Sequence, residues 1–308
     1  MDAIGVNNRW PSYHKLRKTA TLYHVSNKLL IIGAKGMLGR ALTGSFSDWE
    51  LVCWDKEEID ITRESEVRKK ISKFVPSVIV NAAAFTDVDA CETNRELALA
   101  VNGRAVEYLA KAAREINATL VHYSTDYVFD GKNINGYAED DEPQNPVNTY
   151  GESKLLGEQS LKSASGLQYY LIRTSWLFGE RGKNFVRTML DLGRTKERFS
   201  VVNDQHGKPT YAEDLAQATR KLIEKSYPAG TYHLVNEPAT TWYDFAKEIF
   251  DADAAKNPGA NKPEIIPCDS SVFPRPAKRP LYSALKNTKF PLLRPWREAL
   301  AEYLKEMP

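Results

Sequence analysis

The sequence predicts an α/β fold, in which a doubly wound parallel sheet carries a smaller C-terminal lobe. Three observations support this prediction. Short apolar segments alternate with helical stretches between residues 29 and 173, as in parallel strands joined by crossover helices. Glycines follow the first apolar segment at a spacing that suits a phosphate-binding turn. The last third of the chain contains short elements and many prolines, which is typical of a loop-rich lobe.

The first element is an apolar strand that begins at Leu29 and runs into a glycine-rich turn. Gly33, Gly36 and Gly39 are spaced three and three, just before a helical segment. This arrangement gives a tight turn, a close approach of phosphate to the backbone, and a helix N-terminus for the pyrophosphate. The next strand ends at Asp55, 22 residues after Gly33, where an acid hydrogen-bonds the adenosine ribose. Together these features predict a Rossmann-type dinucleotide site.

The following elements continue the alternation of helices and strands. A helical stretch to Phe74 precedes a strand at 77–81, and the small residues 82–84 follow it. Small side chains at the carboxyl end of a strand leave room for a cofactor across the sheet edge, although they also suit tight helix–sheet packing. A long helix at 96–117 and a strand at 119–123 come next, so the ligand is expected at the strands' carboxyl ends.

The chemical centre is predicted where this last strand meets the next helix. The strand ends in Ser124, Thr125 and Asp126, and the helix places Tyr150 and Lys154 four residues apart. That spacing puts the phenol and the ammonium on one helical face. Because a nearby cation favours phenolate, we expect a lowered pKa for Tyr150, which would make it a usable acid near neutral pH.

The rest of the chain divides into a strand at 169–173, a helix at 185–193, a strand around 201–202 and a closing amphipathic helix at 296–304. We therefore predict a dinucleotide-binding domain over 29–177 and a mainly substrate-binding lobe over 178–308, with parts of 199–235 returning to the sheet. Residues 1–28 form a basic extension, which is read as a disordered tail or accessory helix. A mitochondrial-type presequence and a start codon assigned too early are the other readings.

Composition limits the classes of partner. The 308 residues carry 42 basic and 40 acidic side chains, a net charge of +2, so nucleic acid and anionic membrane are not expected as main partners. No apolar run approaches the ~18–20 residues that cross a bilayer. The three cysteines are scattered singly, which argues against a disulfide framework and favours the cytoplasm. The acidic run 139–142 is predicted to be a solvated loop rather than a metal site.

These motifs resemble those of the extended short-chain dehydrogenases/reductases, and their order resembles that of the dTDP-4-dehydrorhamnose reductases. The resemblance covers the chain from about Lys28 to its C-terminus. It rests on these segments: Gly33-x-x-Gly-x-x-Gly39, Asn81-Ala-Ala-Ala84, Ser124-Thr-Asp-Tyr-Val-Phe129, Tyr150-x-x-x-Lys154, Arg173-Thr-Ser-Trp176, Asn203-Asp-Gln205 and Arg279-Pro280.

The resemblance implies an NADH- or NADPH-dependent reductase of a dTDP-linked 4-keto-6-deoxysugar. It assigns no metal site to this chain, and it is compatible with a homodimer. Tyr150 would protonate the C4 carbonyl oxygen, Lys154 would hold the nicotinamide ribose, and Thr125 would polarise the same carbonyl. Besides Tyr150 and Lys154, the implied cofactor-binding residues are Gly33, Gly36, Met37, Leu38, Gly39, Asp55, Asp60, Ile61, Ala82, Ala83 and Ala84. The implied substrate-binding residues are Thr86, Val88, Asp126, Tyr127, Trp176, Gln205 and Arg279.

Several alternatives stay open at this point. Trp176 could be core packing, Arg279 a surface ion pair, and Thr125 the cap of a turn. The alternative from a different functional class is a non-catalytic regulatory subunit, like the β subunit of methionine adenosyltransferase, which shares this fold. A reductase of another nucleotide-linked 4-ketosugar is the nearest enzymatic alternative. Tyr127 stands where related dehydratases carry a glutamate after Thr-Asp, which disfavours dehydration.

Overall fold

The computed structural model describes residues 28–259 and 261–307. Its strands are β1 (Lys28–Ile32), β2 (Glu50–Trp54), β3 (Val78–Asn81), β4 (Thr119–Thr125), β5 (Tyr169–Thr174), β6 (Leu177–Phe178), β7 (Arg198–Val202), β8 (His206–Gly207), β9 (Thr210–Tyr211), β10 (Gly230–His233), β11 (Thr240–Thr241) and β12 (Glu264–Cys268). Its α-helices are α1 (Met37–Ser45), α2 (Glu64–Phe74), α3 (Val88–Thr93), α4 (Arg95–Ala98), α5 (Ala105–Glu115), α6 (Thr149–Lys162), α7 (Phe185–Thr195), α8 (Ala212–Glu224), α9 (Trp242–Lys256) and α10 (Trp296–Glu306).

The predicted doubly wound parallel sheet is confirmed. Within the described residues it has six strands in the order β10-β5-β4-β3-β1-β2, and every neighbouring pair runs parallel. The chain leaves β1 for β2 on one side and returns to β3 on the other, so the topological switch point lies at β1. A ligand crevice is expected at the carboxyl ends of these strands.

Both faces of the sheet are covered, which explains the continuous apolar run of β1. Leu29 and Ile31 pack with side chains of α1 and α8 on one face. Leu30 and Ile32 pack with side chains of α2, α5 and α6 on the other face. A strand that is buried on both sides has no solvent face, so it shows no polar alternation.

The helix predicted over 96–117 is interrupted. Leu99–Arg104 forms a π-helical turn between α4 and α5. Its Asn102 side chain accepts a hydrogen bond from Phe85 N (2.8 Å) and donates to Phe85 O (2.9 Å) and Ser153 Oγ (3.0 Å). The extra residue in the turn aims Asn102 at both a loop and α6, a tertiary contact that helical periodicity does not reveal.

The C-terminal lobe has its own small sheets and its own core. In the described part of this lobe, β7 pairs with β12, β8 with β11 and β6 with β9, while α7, α9 and α10 pack around a cluster that includes Phe178, Phe245 and Trp296. The predicted strand around 201–202 therefore lies in this lobe, whereas β10 lies beside β5 in the main sheet. The boundaries 29–177 and 178–308 stay a prediction.

One expectation about charged segments stays a prediction and another needs correction. The basic extension 1–28 lies outside the described residues except for Lys28, which belongs to β1 and lies opposite Glu50 of β2. In the acidic run, Glu139 is buried rather than solvated, because it accepts hydrogen bonds from His233 N (3.2 Å), Thr288 N (3.0 Å) and Thr288 Oγ1 (2.7 Å). Across the described residues, no helix has the length and apolar character needed to span a membrane.

Candidate active site

The glycine turn after β1 leaves no room for side chains. Gly33 has φ +83°, and a Cβ there would lie 2.6 Å from Ala83 N. A Cβ on Gly39 would lie 2.1 Å from Gly33 O. Residues larger than glycine would open this turn, which brings backbone N–H groups to the N-terminus of α1.

A cavity of about 570 Å³ opens at this turn. Most of the predicted cofactor residues line it: Gly33, Gly36, Asp55, Asp60, Ile61, Ala82, Ala83 and Ala84. Lys35, Lys56, Ile59, Thr62 and Val101 also line it and were not predicted. Lys35 is next to Gly36 and Lys56 is next to Asp55 in the sequence, so their position beside predicted residues could have indicated that they line the cavity. A dinucleotide fits this cavity because its pyrophosphate can approach the glycine turn, its ribose can meet the acid after β2, and the small residues after β3 leave room for it.

Five predicted cofactor residues do not line this cavity: Gly39 lies in the turn itself, Tyr150 and Lys154 lie on α6, and Met37 and Leu38 lie elsewhere. Leu38 is buried in the core between α1 and the sheet. Met37 packs towards Gly179 and Gly182, and it lines a different cavity, between α1 and α8. Helical geometry explains both positions, since side chains of the first turn of α1 point away from the turn's backbone N–H groups.

Asp55 is held at the mouth of the cavity. Its carboxylate accepts hydrogen bonds from Lys35 N (3.0 Å) and Lys56 N (2.9 Å). Lys35 Nζ in turn pairs with Glu57 at 2.8 Å. The acid predicted to meet the adenosine ribose is therefore fixed by two backbone donors and flanked by two lysines.

The predicted catalytic side chains meet at the junction of β4 and α6. Asn148 caps α6 by accepting from Gly151 N (2.8 Å), and this cap sets the start of the helix that carries Tyr150 and Lys154. Thr125 ends β4, and its hydroxyl lies near the Tyr150 phenol, whose pKa it lowers, while it donates to Asp126 Oδ1 at 2.9 Å. The alternative role of Thr125 as a cap is also observed, because its Oγ1 accepts from Tyr127 N at 3.2 Å.

The expectation of a lowered pKa for Tyr150 is wrong. Burial raises the pKa of Tyr150, the Asp126 carboxylate adds to the rise, and the hydrogen bond with Thr125 opposes it. Lys154 does not offset this burial because its Nζ donates to Tyr123 O at 2.5 Å and faces His122 Nε2 at 3.5 Å. Burial also lowers the pKa of Lys154 to about 8, although the Glu158 carboxylate raises it.

Asp126 is a buried carboxyl in the same cluster. Its Oδ2 accepts from Ser283 Oγ at 2.5 Å, and its Oδ1 accepts from Thr125 Oγ1 at 2.9 Å. Burial raises the pKa of Asp126 to about 6, and both hydrogen bonds oppose the rise. Ser283 comes from the C-terminal lobe and was not predicted, because nothing in its sequence neighbourhood marks it.

A buried ion pair connects the catalytic helix to the sheet. Arg173 of β5 donates to both carboxylate oxygens of Glu158, at 2.9 and 2.7 Å, and Ser124 Oγ donates to Glu158 at 2.6 Å. Both charged side chains have no exposed surface. Glu158 lies one helical turn after Lys154, so this pair fixes the rotation of α6 against β4 and β5. Sequence reasoning did not identify Glu158.

Several residues predicted to face the substrate surround this cluster. The Tyr127 and Tyr150 rings meet edge to face at 5.8 Å. Thr86 is exposed in the loop after β3, and Val88 begins α3. Arg279 donates to both oxygens of Asp89, at 2.7 and 3.0 Å, so the alternative of an ion pair is observed, although both partners are mostly buried.

The remaining two predicted substrate residues lie in the C-terminal lobe. Trp176 has φ +47° and stacks on Trp242 with ring centroids 3.6 Å apart, over Gly207. Gln205 Nε2 donates to Ser270 Oγ at 2.8 Å. A backbone link ties this region to the catalytic cluster, because Ser283 N donates to His206 O at 2.9 Å.

Comparison with known proteins gives consistent findings. Residues 27–308 match the family model described as the RmlD substrate binding domain. A dTDP-4-dehydrorhamnose reductase from Aggregatibacter actinomycetemcomitans is 43% identical, over 85% of this chain and 91% of its own length. The spore coat polysaccharide biosynthesis protein SpsK from Bacillus subtilis is 39% identical, over 91% of this chain and 97% of its own. A crystal structure of dTDP-4-dehydrorhamnose reductase from Bacillus anthracis, in complex with NADP, superposes with a TM-score of 0.85 at 37% identity, covering 91% of this chain and 99% of the other.

Proposed function

The chain belongs to the family of the RmlD substrate binding domain, and from that premise we propose that it is an NAD(P)H-dependent dTDP-4-dehydrorhamnose reductase. The reaction converts dTDP-4-dehydro-β-L-rhamnose to dTDP-β-L-rhamnose. The observation that carries the proposal is that Thr125 lies near the Tyr150 phenol at the β4–α6 junction, one helical turn before Lys154, in a sheet whose glycine turn opens on a cavity of about 570 Å³.

Each catalytic side chain has a role that its surroundings support. Tyr150 is the acid that protonates the C4 oxygen, and its raised pKa keeps it protonated until a negative charge develops there. Thr125, at the end of a rigid strand, donates a second hydrogen bond that polarises the carbonyl. Lys154 supplies a cation on the same face of α6 and holds the nicotinamide ribose. A bound reduced nicotinamide supplies the hydride.

The C-terminal lobe is proposed to hold the nucleotide sugar. The bidentate pair with Asp89 fixes the Arg279 guanidinium near Tyr127, and its positive charge suits a diphosphate. Trp176 packs against both Trp242 and Gly207, which fits the alternative of core packing, and Gln205 offers an amide on the neighbouring loop. We also propose that the protein works in the cytoplasm and assembles as a homodimer, and that it does not bind nucleic acid.

The rival functions make different use of the same fold. A regulatory subunit has no need for a phenol, a hydroxyl and an ammonium at one strand–helix junction of a sheet that also carries a dinucleotide cavity, so the catalytic cluster favours the enzyme. A reductase of another nucleotide-linked 4-ketosugar would keep that cluster unchanged. The base and the sugar are decided in the lobe, where Trp176, Gln205 and Arg279 lie.

The decisive experiment incubates the pure protein with dTDP-4-dehydro-β-L-rhamnose, made enzymatically, and with NADH or NADPH, while absorbance at the nicotinamide band is followed. Matched reactions use the UDP- and GDP-linked 4-ketosugars. The proposal predicts oxidation with the dTDP-sugar and slower oxidation with the others. Faster turnover of another nucleotide would support the alternative reductase. Copurification with a methionine adenosyltransferase catalytic subunit, without turnover of any sugar, would support the regulatory subunit.

A further inference from the structure

Asp126 is a buried acid for which the reduction described above has no chemical use. Its side chain is 2% exposed, although it is one residue from Thr125 and close to Tyr150. Burying a carboxyl in an apolar interior is costly unless its partners or its protonation state compensate. Titratable groups in such surroundings, within a site, are candidates for proton transfer.

The hydroxyl of Thr125 lies between this acid and the phenol. Thr125 Oγ1 donates to Asp126 Oδ1 at 2.9 Å, and the same hydroxyl lowers the pKa of the neighbouring Tyr150 phenol. Tyr127 N donates to the same Oγ1 at 3.2 Å, which occupies one of its two lone pairs. A hydroxyl has one proton and two lone pairs, so Thr125 can still accept from a protonated Asp126 while donating to Tyr150.

We propose that Asp126 returns a proton to Tyr150 after each reduction, through the hydroxyl of Thr125. This inference rests on the proposed reductase function and adds the source of the proton that the reaction consumes. Ser283, donating to the far oxygen of Asp126 at 2.5 Å, holds the carboxyl so that Oδ1 faces Thr125. Ser283 thereby makes the C-terminal lobe part of the proton path.

The transfer balances in three steps. The O–H bond of Tyr150 breaks as its proton forms a bond to the C4 oxygen of the sugar, which leaves a phenolate. Once C4 is reduced, the Thr125 hydroxyl turns from the sugar oxygen to the phenolate. Its proton then bonds to the phenolate oxygen while the Asp126 proton bonds to Thr125 Oγ1, so Thr125 is unchanged overall. The Asp126 carboxylate finally takes a proton from water. One proton passes from water to the product alcohol, and no electrons move in these steps.

The surroundings of Asp126 suit this task. Burial raises its pKa to about 6, so a fraction of the carboxyl is protonated near neutral pH. The groups that face it are the hydroxyls of Thr125 on β4 and Ser283 in the lobe, the Tyr150 phenol on α6 and the backbone of Tyr127. A developing phenolate on Tyr150 adds a negative charge nearby, which raises the pKa of Asp126 further at the moment the proton is needed.

The first test separates one turnover from many. Asp126→Asn keeps the size and polarity of the side chain but cannot deliver the proton. Asp130→Asn is the matched control, because Asp130 is hydrogen-bonded to Tyr137 (2.6 Å) in the following loop. Each variant is mixed rapidly with reduced nicotinamide and the dTDP-sugar, and oxidation is followed through the first turnover and into the steady state.

The proposal predicts a burst in Asp126→Asn. Its first turnover, which uses the proton already on Tyr150, should stay within about threefold of wild type, whereas the steady-state kcat should fall by about 10–100-fold. Asp130→Asn should match wild type in both phases. A wild-type steady state in Asp126→Asn would overturn the relay. An equal slowing of both phases, or a rise in sugar KM alone, would also overturn it and assign Asp126 to substrate binding.

A second readout does not depend on turnover. Carbon-13 NMR of the aspartate carboxyls, with Asp126→Asn to assign the signal, should show Asp126 titrating near pH 6 in the free protein. Thr125→Val and Ser283→Ala should each raise that pKa, because both hydroxyls lower it. Titration below about pH 4, the ordinary range, would overturn the relay. If wild type turns over no sugar, the proposed function fails and the relay falls with it, whereas an active wild type with no burst in Asp126→Asn refutes the relay alone.

Discussion

The catalytic helix and the strap at 269–281 are each attached to the body of the protein through an arginine–carboxylate pair, but the two attachments differ in burial. Glu158 and Arg173 have no exposed surface, and they join α6 to the sheet. Asp89 and Arg279 keep 24% and 20% of their side chains exposed, and they join α3 to the strap. Both pairs are bidentate, so their chemistry is the same.

Burial decides what each pair can do. A fully buried pair cannot break without leaving a charge in a low-dielectric interior, which costs about 3–5 kcal/mol, so α6 is fixed in one orientation. A partly exposed pair exchanges its partner for water at a cost of about 1 kcal/mol or less. Under the proposed function, we therefore expect the chemistry on the fixed side of the site and substrate binding on the side whose ion pair can open.

The largest effect is expected from Glu158→Gln. This change leaves the Arg173 guanidinium buried without its counter-ion, so the free energy of unfolding should fall by about 3–5 kcal/mol. Chemical denaturation followed by circular dichroism measures the loss. Glu152→Gln is the matched control, because Glu152 lies on the same helix in an exposed pair with Arg95 and should cost less than about 1 kcal/mol. Equal losses in the two variants would remove the distinction between the two attachments.

The same variant has a consequence for pH. The Glu158 carboxylate raises the pKa of Lys154, which burial holds at about 8, so Glu158→Gln should lower that pKa further. The Lys154 ammonium is then lost at a lower pH. Binding of the reduced nicotinamide by wild type should weaken as the pH rises through about 8, and in Glu158→Gln the weakening should begin at lower pH. Titration calorimetry across this range checks the shift.

Tyr150→Phe should separate the chemistry from the framework. Turnover should fall by about 10²–10⁴, or about 3–5 kcal/mol, because a positioned acid is lost. Stability and cofactor affinity should stay close to wild type, since the ring and its contact with Tyr127 remain. Tyr108→Phe on α5 is the control and should change none of these quantities. Wild-type turnover in Tyr150→Phe would remove Tyr150 from the reaction.

Asp89→Asn tests the partly exposed attachment between α3 and the strap. Unfolding should become easier by about 1 kcal/mol only, whereas KM for the dTDP-sugar should rise about tenfold with kcat unchanged, because Arg279 loses its fixed orientation. Asp140→Asn, which removes an exposed pair with Lys289, should leave KM unaltered. A fall in kcat with unchanged KM would place Asp89 with the chemistry.

The pH dependence of the Asp89 attachment has a definite sign. A hydrogen bond from Arg279 lowers the pKa of Asp89 below its ordinary range. The stabilisation is therefore complete above the unfolded pKa and is lost only as the pH falls through the lower, folded value. Between about pH 5 and 8, the difference in unfolding free energy between wild type and Asp89→Asn should stay constant.

The smallest effect concerns the choice of cofactor. The Asp55 carboxylate would repel a 2′-phosphate, so kcat/KM should favour NADH over NADPH, while Lys35 and Lys56 nearby reduce the preference to a few-fold. Asp55→Asn should bring the ratio towards one. Asp60→Asn, which alters another acid of the same cavity, should leave the ratio as it is. A clear preference of wild type for NADPH would contradict this role of Asp55.

The sequence was most informative where a local pattern sets the structure. The glycine turn, the acid after β2 and the Tyr150–Lys154 spacing each lie within a single strand, turn or helix, so the sheet and the core of the site could be predicted. The Glu158–Arg173 and Asp89–Arg279 pairs join elements that are distant in sequence, and only the folded chain brings them together. The π-helical turn around Asn102 arises in the same way, from contacts with Phe85 and Ser153.

The error about Tyr150 has a related cause. Spacing on a helix shows that Lys154 lies on the same face, but it does not show how deeply the phenol is buried or where the ammonium points. In the structure burial is the larger effect, and Lys154 is directed at the carbonyl of Tyr123. Desolvation depends on every element packed around a group, which the sequence of one helix does not contain.

The measurement that tests the central claim most directly is the stoichiometry of cofactor to sugar. Tyr127 occupies the place of a base, but burial and the Asp126 carboxylate raise the pKa of its phenol above the ordinary value, so the phenol stays protonated and cannot remove a proton next to a carbonyl. The site should therefore stop at reduction. We predict one reduced nicotinamide consumed for each dTDP-sugar converted, and no reaction with dTDP-glucose. Formation of a 4-keto-6-deoxy product from dTDP-glucose without added NAD(P)H would contradict the account and place the protein among the dehydratases.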